Sequence, residues 1–236
     1  LANSPFPIKI VGDKSLSKRD FKRIADPLTK FGVKLKLSKN KFLPLTILGH
    51  KNLKPIIYQE NKGSAQCKSA VIFAGMRAEG QTIIKAKKSR NHTELLSKHL
   101  NLPIKVIKKK NYDLIKINGK KKIKPFNYNI PSDISSSAFF IVLTALSKNS
   151  KITIKNVNIN PTRIGVLKIL KMMGVKILFI NKKNYKGEKI ADIKIKGGNK
   201  LNAINCPPKL NSGAIDEFLL IFLVAAKAKG ISYFKD

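Results

Sequence analysis

Arginine is scarce in this sequence: only 5 of its 48 basic residues are Arg and 43 are Lys. Both side chains are cationic, but only the guanidinium of Arg offers a planar fork that pairs bidentately with a carboxylate or a phosphate. A position that keeps Arg in such a Lys-rich chain is therefore a candidate for that chemistry. These positions are Arg19, Arg23, Arg77, Arg90 and Arg163.

Long apolar runs are also missing. The longest, Ala138–Leu146 and Phe218–Ala226, fall well short of the roughly 20 residues that cross a bilayer, and no signal-peptide pattern opens the chain. The two cysteines, Cys67 and Cys206, have no metal-type spacing and no partner motif, which favours a reducing compartment. We therefore expect a soluble cytoplasmic protein with no membrane partner.

The size and the ends of the chain suggest part of a longer protein. With 236 residues, of which 43% are hydrophobic, the sequence can bury one or two cores. Leu1 is not an initiator, and Ile231–Phe234 resembles an unfinished strand. We expect a fragment.

Acidic residues are few, and the formal charge of +35 raises the alternative of a basic nucleic-acid-binding protein. However, the lysines are scattered through predicted helices, strands and loops. The densest runs, Lys108–Lys110 and Lys120–Lys122, lack aromatic neighbours for base stacking and are typical of solvated turns. We expect compositional drift toward Lys and no specific nucleic-acid partner.

Three of the arginines mark an internal repeat. Arg19 and Arg90 are 71 residues apart, and Arg90 and Arg163 are 73 apart. Each precedes a predicted helix that ends near Gly or Asn and leads into a strand. A second apolar helix follows Ser64, Ser135 and Ser212 in turn. The pattern predicts α/β units of about 70 residues, with helices packed on small mixed sheets.

Two local expectations concern the helices of these units. Asp26-Pro27 is expected to break the helix predicted over Phe21–Phe31, because Pro lacks the N–H group of a helix interior. Asn91 and Glu94 form a predicted capping box for the helix after Arg90.

The loop Gly63-Ser64-Ala65-Gln66 leads directly into an apolar segment of helical period. The Ser64 hydroxyl and the backbone N–H groups would then lie at a helix N-terminus, where an anion is stabilised. An ordinary Ser cap is the alternative interpretation of this motif alone.

Six motifs in order resemble the 5-enolpyruvylshikimate-3-phosphate synthase family, and together they cover nearly the whole chain. They are Gly12–Arg19, Ser64–Ala70, Ser89–Glu94, Pro131–Ala138, Asn160–Arg163 and Ile215–Glu217. The resemblance implies a two-lobed inverse α/β barrel built from repeated βαβαββ units. Residues 1–129 would be part of the first lobe and residues 130–236 part of the second.

The implied reaction transfers the enolpyruvyl group of phosphoenolpyruvate to the 5-hydroxyl of shikimate 3-phosphate, in the shikimate pathway of chorismate and aromatic amino-acid biosynthesis. It needs no metal and no organic cofactor. A nucleotide-sugar enolpyruvyl transferase of the same fold is the alternative within this class. We expect a monomer, and we expect this stretch alone to lack a complete site.

The resemblance also assigns substrate-binding roles. Arg19 matches a phosphoenolpyruvate-binding residue, although Asp20 replaces the family's Pro and could compete for its guanidinium. Ser64 and Ala65 match contacts to shikimate 3-phosphate, and Gln66 matches a side chain that touches both substrates. Arg90 matches a residue near the shikimate phosphate in one branch of the family, and holding its own turn together with Glu94 is the alternative.

Asp216 is the residue that the resemblance assigns to proton transfer. It precedes an apolar helix, where a carboxylate is stabilised as the anion, but such a placement is also common in helices without function. Glu217 beside it matches a structural acid, and Leu219 replaces the family's Pro. We interpret Arg163 and His92 as structural.

Overall fold

The computed structural model describes residues 1–120 and 123–235. Within these residues the chain forms two compact units, Leu1–Pro125 and Phe126–Asp236. The first unit ends four residues before the lobe boundary expected at residue 129.

The first unit opens with an antiparallel sheet and one helix. Its elements are β1 (Pro7–Ile10), α1 (Lys22–Lys30), β2 (Lys34–Ser38) and β3 (Phe42–Leu48). The strand order is β1-β3-β2, so β3 lies in the centre and pairs antiparallel with both neighbours.

A complete βαβαββ unit follows. It consists of β4 (Ile57–Glu60), α2 (Ala65–Gly75), β5 (Gln81–Lys87), α3 (His92–His99), β6 (Ile104–Lys108) and β7 (Tyr112–Asn118). The sheet order is β4-β5-β7-β6. The β4–β5 pair is parallel because α2 carries the chain back, while β7 runs antiparallel to β5 and β6.

The second compact unit repeats this topology. It contains α4 (Ile134–Leu146), β8 (Lys151–Asn158), α5 (Gly165–Met172), β9 (Ile177–Tyr185) and β10 (Glu188–Lys196), with the sheet order β8-β10-β9. The first strand of the unit is reduced to one parallel bridge between Ser132 and Val157. The parallel pair β11 (Asn205–Cys206) and β12 (Tyr233–Phe234), joined through α6 (Phe218–Ala225), begins another repeat.

The predicted repeat and fold class are therefore confirmed. The residues after α1, α3 and α5 also match, since Gly32, Asn101 and Gly174 have φ angles of 96°, 51° and 99°. This left-handed conformation ends a helix with little strain when the residue is Gly or Asn.

Each compact unit has its own apolar core. The first core contains Ile72 from helix α2, Ile84 from β5 and Ile115 from β7, and these side chains are fully buried. In the second unit α4 and α5 bury Ile141 and Leu170 in the same way. No helix in the described ranges is long and apolar enough to cross a membrane.

The expected helix break at Pro27 is wrong. Helix α1 runs without interruption through Pro27, which is buried. Pro27 cannot donate to the carbonyl of Arg23 four residues earlier, but the thiol of Cys67 on α2 lies 3.5 Å from that oxygen as a donor. A tertiary contact therefore replaces part of the lost helical hydrogen bond.

The helix after Ser212 differs from expectation, whereas the first lysine run lies where it was expected. In the turn before α5, which begins at Gly165, the Asn160 side chain accepts hydrogen bonds from Thr162. The helix expected from residue 213 is divided into 3-10 turns before α6. The Lys108–Lys110 run does lie at a strand end and turn, whereas Lys121 and Lys122 of the second run lie outside the described residues.

Candidate functional site

The loop between β4 and α2 forms the predicted helix cap. Ser64 occupies the N-cap position, and its Oγ accepts a hydrogen bond of 3.3 Å from the backbone N–H of Cys67. The carboxylate of Glu60, which is 3% exposed, accepts from the N–H groups of Lys62 and Gly63 at 3.0 and 2.8 Å. These bonds fix the loop so that the electropositive start of an 11-residue helix faces outward beside Ser64.

A second cation lies at the same helix start. The Arg23 guanidinium donates to Oε1 of Gln66 at 2.8 Å, and both residues are exposed. The hydrogen bond orients the Gln66 amide and places a permanent charge beside the first turn of α2. Arg23 lies outside the six motifs, and only the scarcity of Arg marks it as a candidate in the sequence.

The segment that carries Arg90 is attached to α2 by a buried lysine. Lys68 is 1% exposed, and its ammonium donates to the backbone carbonyl of Arg90 at 2.8 Å. The same ammonium lies 2.6 Å from Glu94 Oε1. Ser69 and Thr93 add a hydroxyl–hydroxyl hydrogen bond of 2.7 Å. The structure therefore holds the Ser64 helix and the Arg90 segment side by side.

The predicted capping box at α3 is wrong. Asn91 occupies the N-cap position but makes no side-chain capping hydrogen bond. Glu94 is buried and forms the ion pair with Lys68 described above. A buried carboxylate needs a compensating charge more than a half-buried helix start needs a side-chain cap.

Arg19 is exposed between a short 3-10 turn, Leu16–Lys18, and α1. The neighbouring Asp20 accepts from the Lys22 N–H at 2.8 Å and pairs with Lys41 at 3.4 Å. Desolvation would raise the pKa of Asp20, but the Lys22 hydrogen bond and the Lys41 charge lower it below its usual value. Asp20 is thus engaged by lysine, and no contact in the described residues links it to the Arg19 guanidinium.

Asp216 lies in a 3-10 turn, Ile215–Glu217, directly before α6. Its side chain is 50% exposed, and its Oδ2 lies 3.9 Å from an outer nitrogen of Arg163. The sequence interpretation of Arg163 as merely structural missed this contact, which joins residues 53 positions apart. Linear spacing carried no signal for it.

Arg163 also contacts the start of α4. Its other outer nitrogen donates to Ser135 Oγ at 2.5 Å and lies 3.3 Å from Asp133 Oδ1. Desolvation would raise the pKa of Asp133, but the Ser136 N–H hydrogen bond and the Arg163 charge lower it below its usual value. No group of three or more His, Cys, Asp or Glu residues in the described ranges is arranged to hold a metal ion.

Comparison with known proteins agrees with this architecture. The profile of the EPSP synthase (3-phosphoshikimate 1-carboxyvinyltransferase) family matches residues 1–236. The chain is 43% identical to the 3-phosphoshikimate 1-carboxyvinyltransferase of Ruthia magnifica, aligning over 100% of the chain and 53% of the relative. It is 39% identical to the one of Petrotoga mobilis over 96% of the chain and 52% of the relative.

Solved structures give the same result. EPSP synthase from Acinetobacter baumannii superimposes with a TM-score of 0.83 at 39% identity, covering 98% of this chain and 51% of that one. The enolpyruvyl transferase NikO from Streptomyces tendae shares the fold at 12% identity, with a TM-score of 0.64. The superposition covers 95% of this chain and 51% of the NikO chain. The chain therefore spans about half the length of these relatives. Since the family profile matches from end to end, this chain belongs to the EPSP synthase family.

Proposed function

We propose that the protein carrying this chain transfers the enolpyruvyl group of phosphoenolpyruvate to the 5-hydroxyl of shikimate 3-phosphate and releases phosphate. The observation that carries the proposal is the start of α2, where the Ser64 cap and the Arg23–Gln66 pair form an electropositive surface. Both substrates are anions, and fixed hydrogen-bond donors and cations suit their binding.

The binding roles follow from this arrangement and from family membership. Ser64 and Ala65 would hold the phosphate of shikimate 3-phosphate at the start of α2, and Gln66 would contact both substrates. Arg90, whose carbonyl Lys68 holds beside α2, would approach the same phosphate. Arg19 is exposed and not engaged by Asp20, which supports a role in pairing with phosphoenolpyruvate.

Asp216 would act as the general base. Its carboxylate would accept the proton of the 5-hydroxyl as that oxygen attacks C2 of phosphoenolpyruvate, while a general acid donates a proton to C3. The tetrahedral intermediate would then lose the C3 proton together with phosphate, which leaves the enol ether. Every atom of the products comes from the two substrates, and in this proposal no cofactor takes part.

Other features of the complete protein belong to the same proposal. Residues 1–129 would form part of one lobe and residues 130–236 part of the other. The protein would act as a cytoplasmic monomer, and residues 1–236 alone would not complete the reaction.

The test separates binding from chemistry in the full-length protein. Ser64→Ala and Gln66→Ala should weaken binding by about 1.5–3 kcal/mol, the range for hydrogen bonds to charged groups, and should mainly raise KM. Asp216→Ala should lower kcat by about 10²–10⁴-fold, as the loss of a general base does. Steady-state phosphate release and calorimetric binding of shikimate 3-phosphate measure the two effects.

A matched control is Ser212→Ala, which removes an exposed hydroxyl from a 3-10 turn of the second unit and should leave both constants unchanged. Near-normal kcat in Asp216→Ala would remove Asp216 from the chemistry. Absence of phosphate release by the wild-type protein with both substrates would refute the proposed function itself.

A further inference from the structure

Arg163 connects three segments of the second unit through the two outer nitrogens of its guanidinium. One nitrogen faces Asp216 at 3.9 Å. The other donates to Ser135 Oγ and faces Asp133 at 3.3 Å and Glu217 at 4.0 Å. The start of α4, the turn before α5 and the turn before α6 therefore meet on one side chain.

The surroundings of Arg163 make this arrangement rigid. The Arg163 side chain is only 13% exposed, and that of Glu217 is 4% exposed. Ser135 Oγ accepts from Arg163 and donates to Glu217. A buried carboxylate is stable only when charges and hydrogen bonds compensate it, so Glu217 and the guanidinium restrain each other through Ser135.

Asp216 differs from its two acidic neighbours. Asp133 is the N-cap of α4 and accepts from the Ser136 N–H at 2.9 Å, while Glu217 is buried. Asp216 is half exposed and lies farther from the guanidinium than Asp133 does. An ion pair at this distance restrains the direction of a carboxylate while its exposed side can still meet a ligand.

We propose that Arg163 is a positioning residue for Asp216, an inference that rests on the transferase function proposed above. One outer nitrogen of the guanidinium faces Asp216, and the other contacts Ser135 and faces Glu217. A lysine ammonium supplies the same charge at a single point, and it cannot occupy both positions at once. Arg163 sets the direction of the Asp216 carboxylate and does not itself touch the substrates.

The experiment compares Arg163→Lys, Arg163→Gln and wild type in the full-length protein. In Arg163→Lys the charge remains but the fork is lost. A misplacement of about 1 Å in a reacting group can lower rates by up to 10²-fold, so we expect kcat to fall by roughly 10- to 100-fold. KM for shikimate 3-phosphate should change by less than about threefold, since the binding loop lies in the other compact unit.

The comparison with Arg163→Gln supplies a readout that a merely structural role would not give. In Arg163→Gln both the charge and the fork beside Asp216 are lost, so kcat should fall further than in Arg163→Lys. KM for shikimate 3-phosphate should again change by less than about threefold. Arg77→Lys, an exposed position in the first unit, is the matched control and should equal wild type.

Each outcome has one meaning. If wild type turns over and Arg163→Lys and Arg163→Gln both match it in kcat, the positioning role is refuted and the proposed function stands. If the rate loss only parallels a loss of folded protein in a thermal melt, Arg163 is structural and the inference also fails. If wild type releases no phosphate, the proposed function fails and this role falls with it.

Discussion

Replacing Lys68 by Met should strongly destabilise the first unit. The Lys68 and Glu94 side chains are 1% and 6% exposed, and their charged atoms lie 2.6 Å apart. Neither carboxylate oxygen of Glu94 accepts a hydrogen bond of good geometry in the described residues. Lys68→Met therefore leaves a buried carboxylate without its cation, and breaking such a pair costs about 3–5 kcal/mol. That is a large fraction of a typical total stability of about 5–15 kcal/mol.

The structure also predicts an order among the variants. Glu94→Gln should cost less than Lys68→Met, because the Lys68 ammonium would still donate to the Arg90 carbonyl. The double variant Lys68→Met/Glu94→Gln should be less destabilised than the sum of the single variants, since neither buried charge remains. A positive coupling of about 1–3 kcal/mol is expected for residues in direct contact.

Urea unfolding of the full-length protein at neutral pH measures these differences. Lys98→Met, an exposed change in the last turn of α3, is the control and should cost less than about 1 kcal/mol. A Lys68→Met cost near that of Lys98→Met, or simple additivity in the double variant, would refute this account of the pair.

Three further results are expected. Hydrogen bonds from Asn156, Asn181 and Lys155 lower the pKa of Asp192 to about 2. The ionised Asp192 should therefore stabilise the fold above about pH 4, and this stabilisation should be lost as the pH falls toward about 2. Thermal melts of wild type and Asp192→Asn should converge near about pH 2. Duplex DNA should bind weakly, and a titration from low to high salt should abolish binding; a salt-resistant complex would contradict this. Chymotrypsin should cut first after Phe126, which is exposed and lies outside any helix or strand. Earlier cleavage within α4 would contradict the lobe boundary expected at residue 129.

Regular features of this fold could be predicted because they repeat along the chain. The three arginines and three serines fixed the period of the helices, and the Ser64 cap followed from local residue types alone. Motif order then identified the fold class, because six motifs in register depend little on any single residue.

The remaining features depend on contacts between distant residues. The Cys67 thiol compensates a carbonyl that Pro27 leaves unpaired, and no local pattern predicts that donor. Glu94 pairs with Lys68 because both are buried, while the same four-residue motif on a surface would form a cap. The contact between Arg163 and Asp216 requires three segments to fold together, so spacing could not predict it.

The left-handed residues after α1, α3 and α5 have a consequence for the ancestry of the repeats. Gly32, Asn101 and Gly174 share a positive φ angle but not a side chain. A positive φ favours Gly and Asn over most other residues, and at Gly174 the choice is narrower, because a Cβ there would lie 2.6 Å from the backbone oxygen of Lys200. Two repeats can therefore diverge until their residues no longer align by identity and still end their helices at equivalent positions. A comparison of backbone handedness can therefore still align the helix ends of these units after comparison by identity has failed.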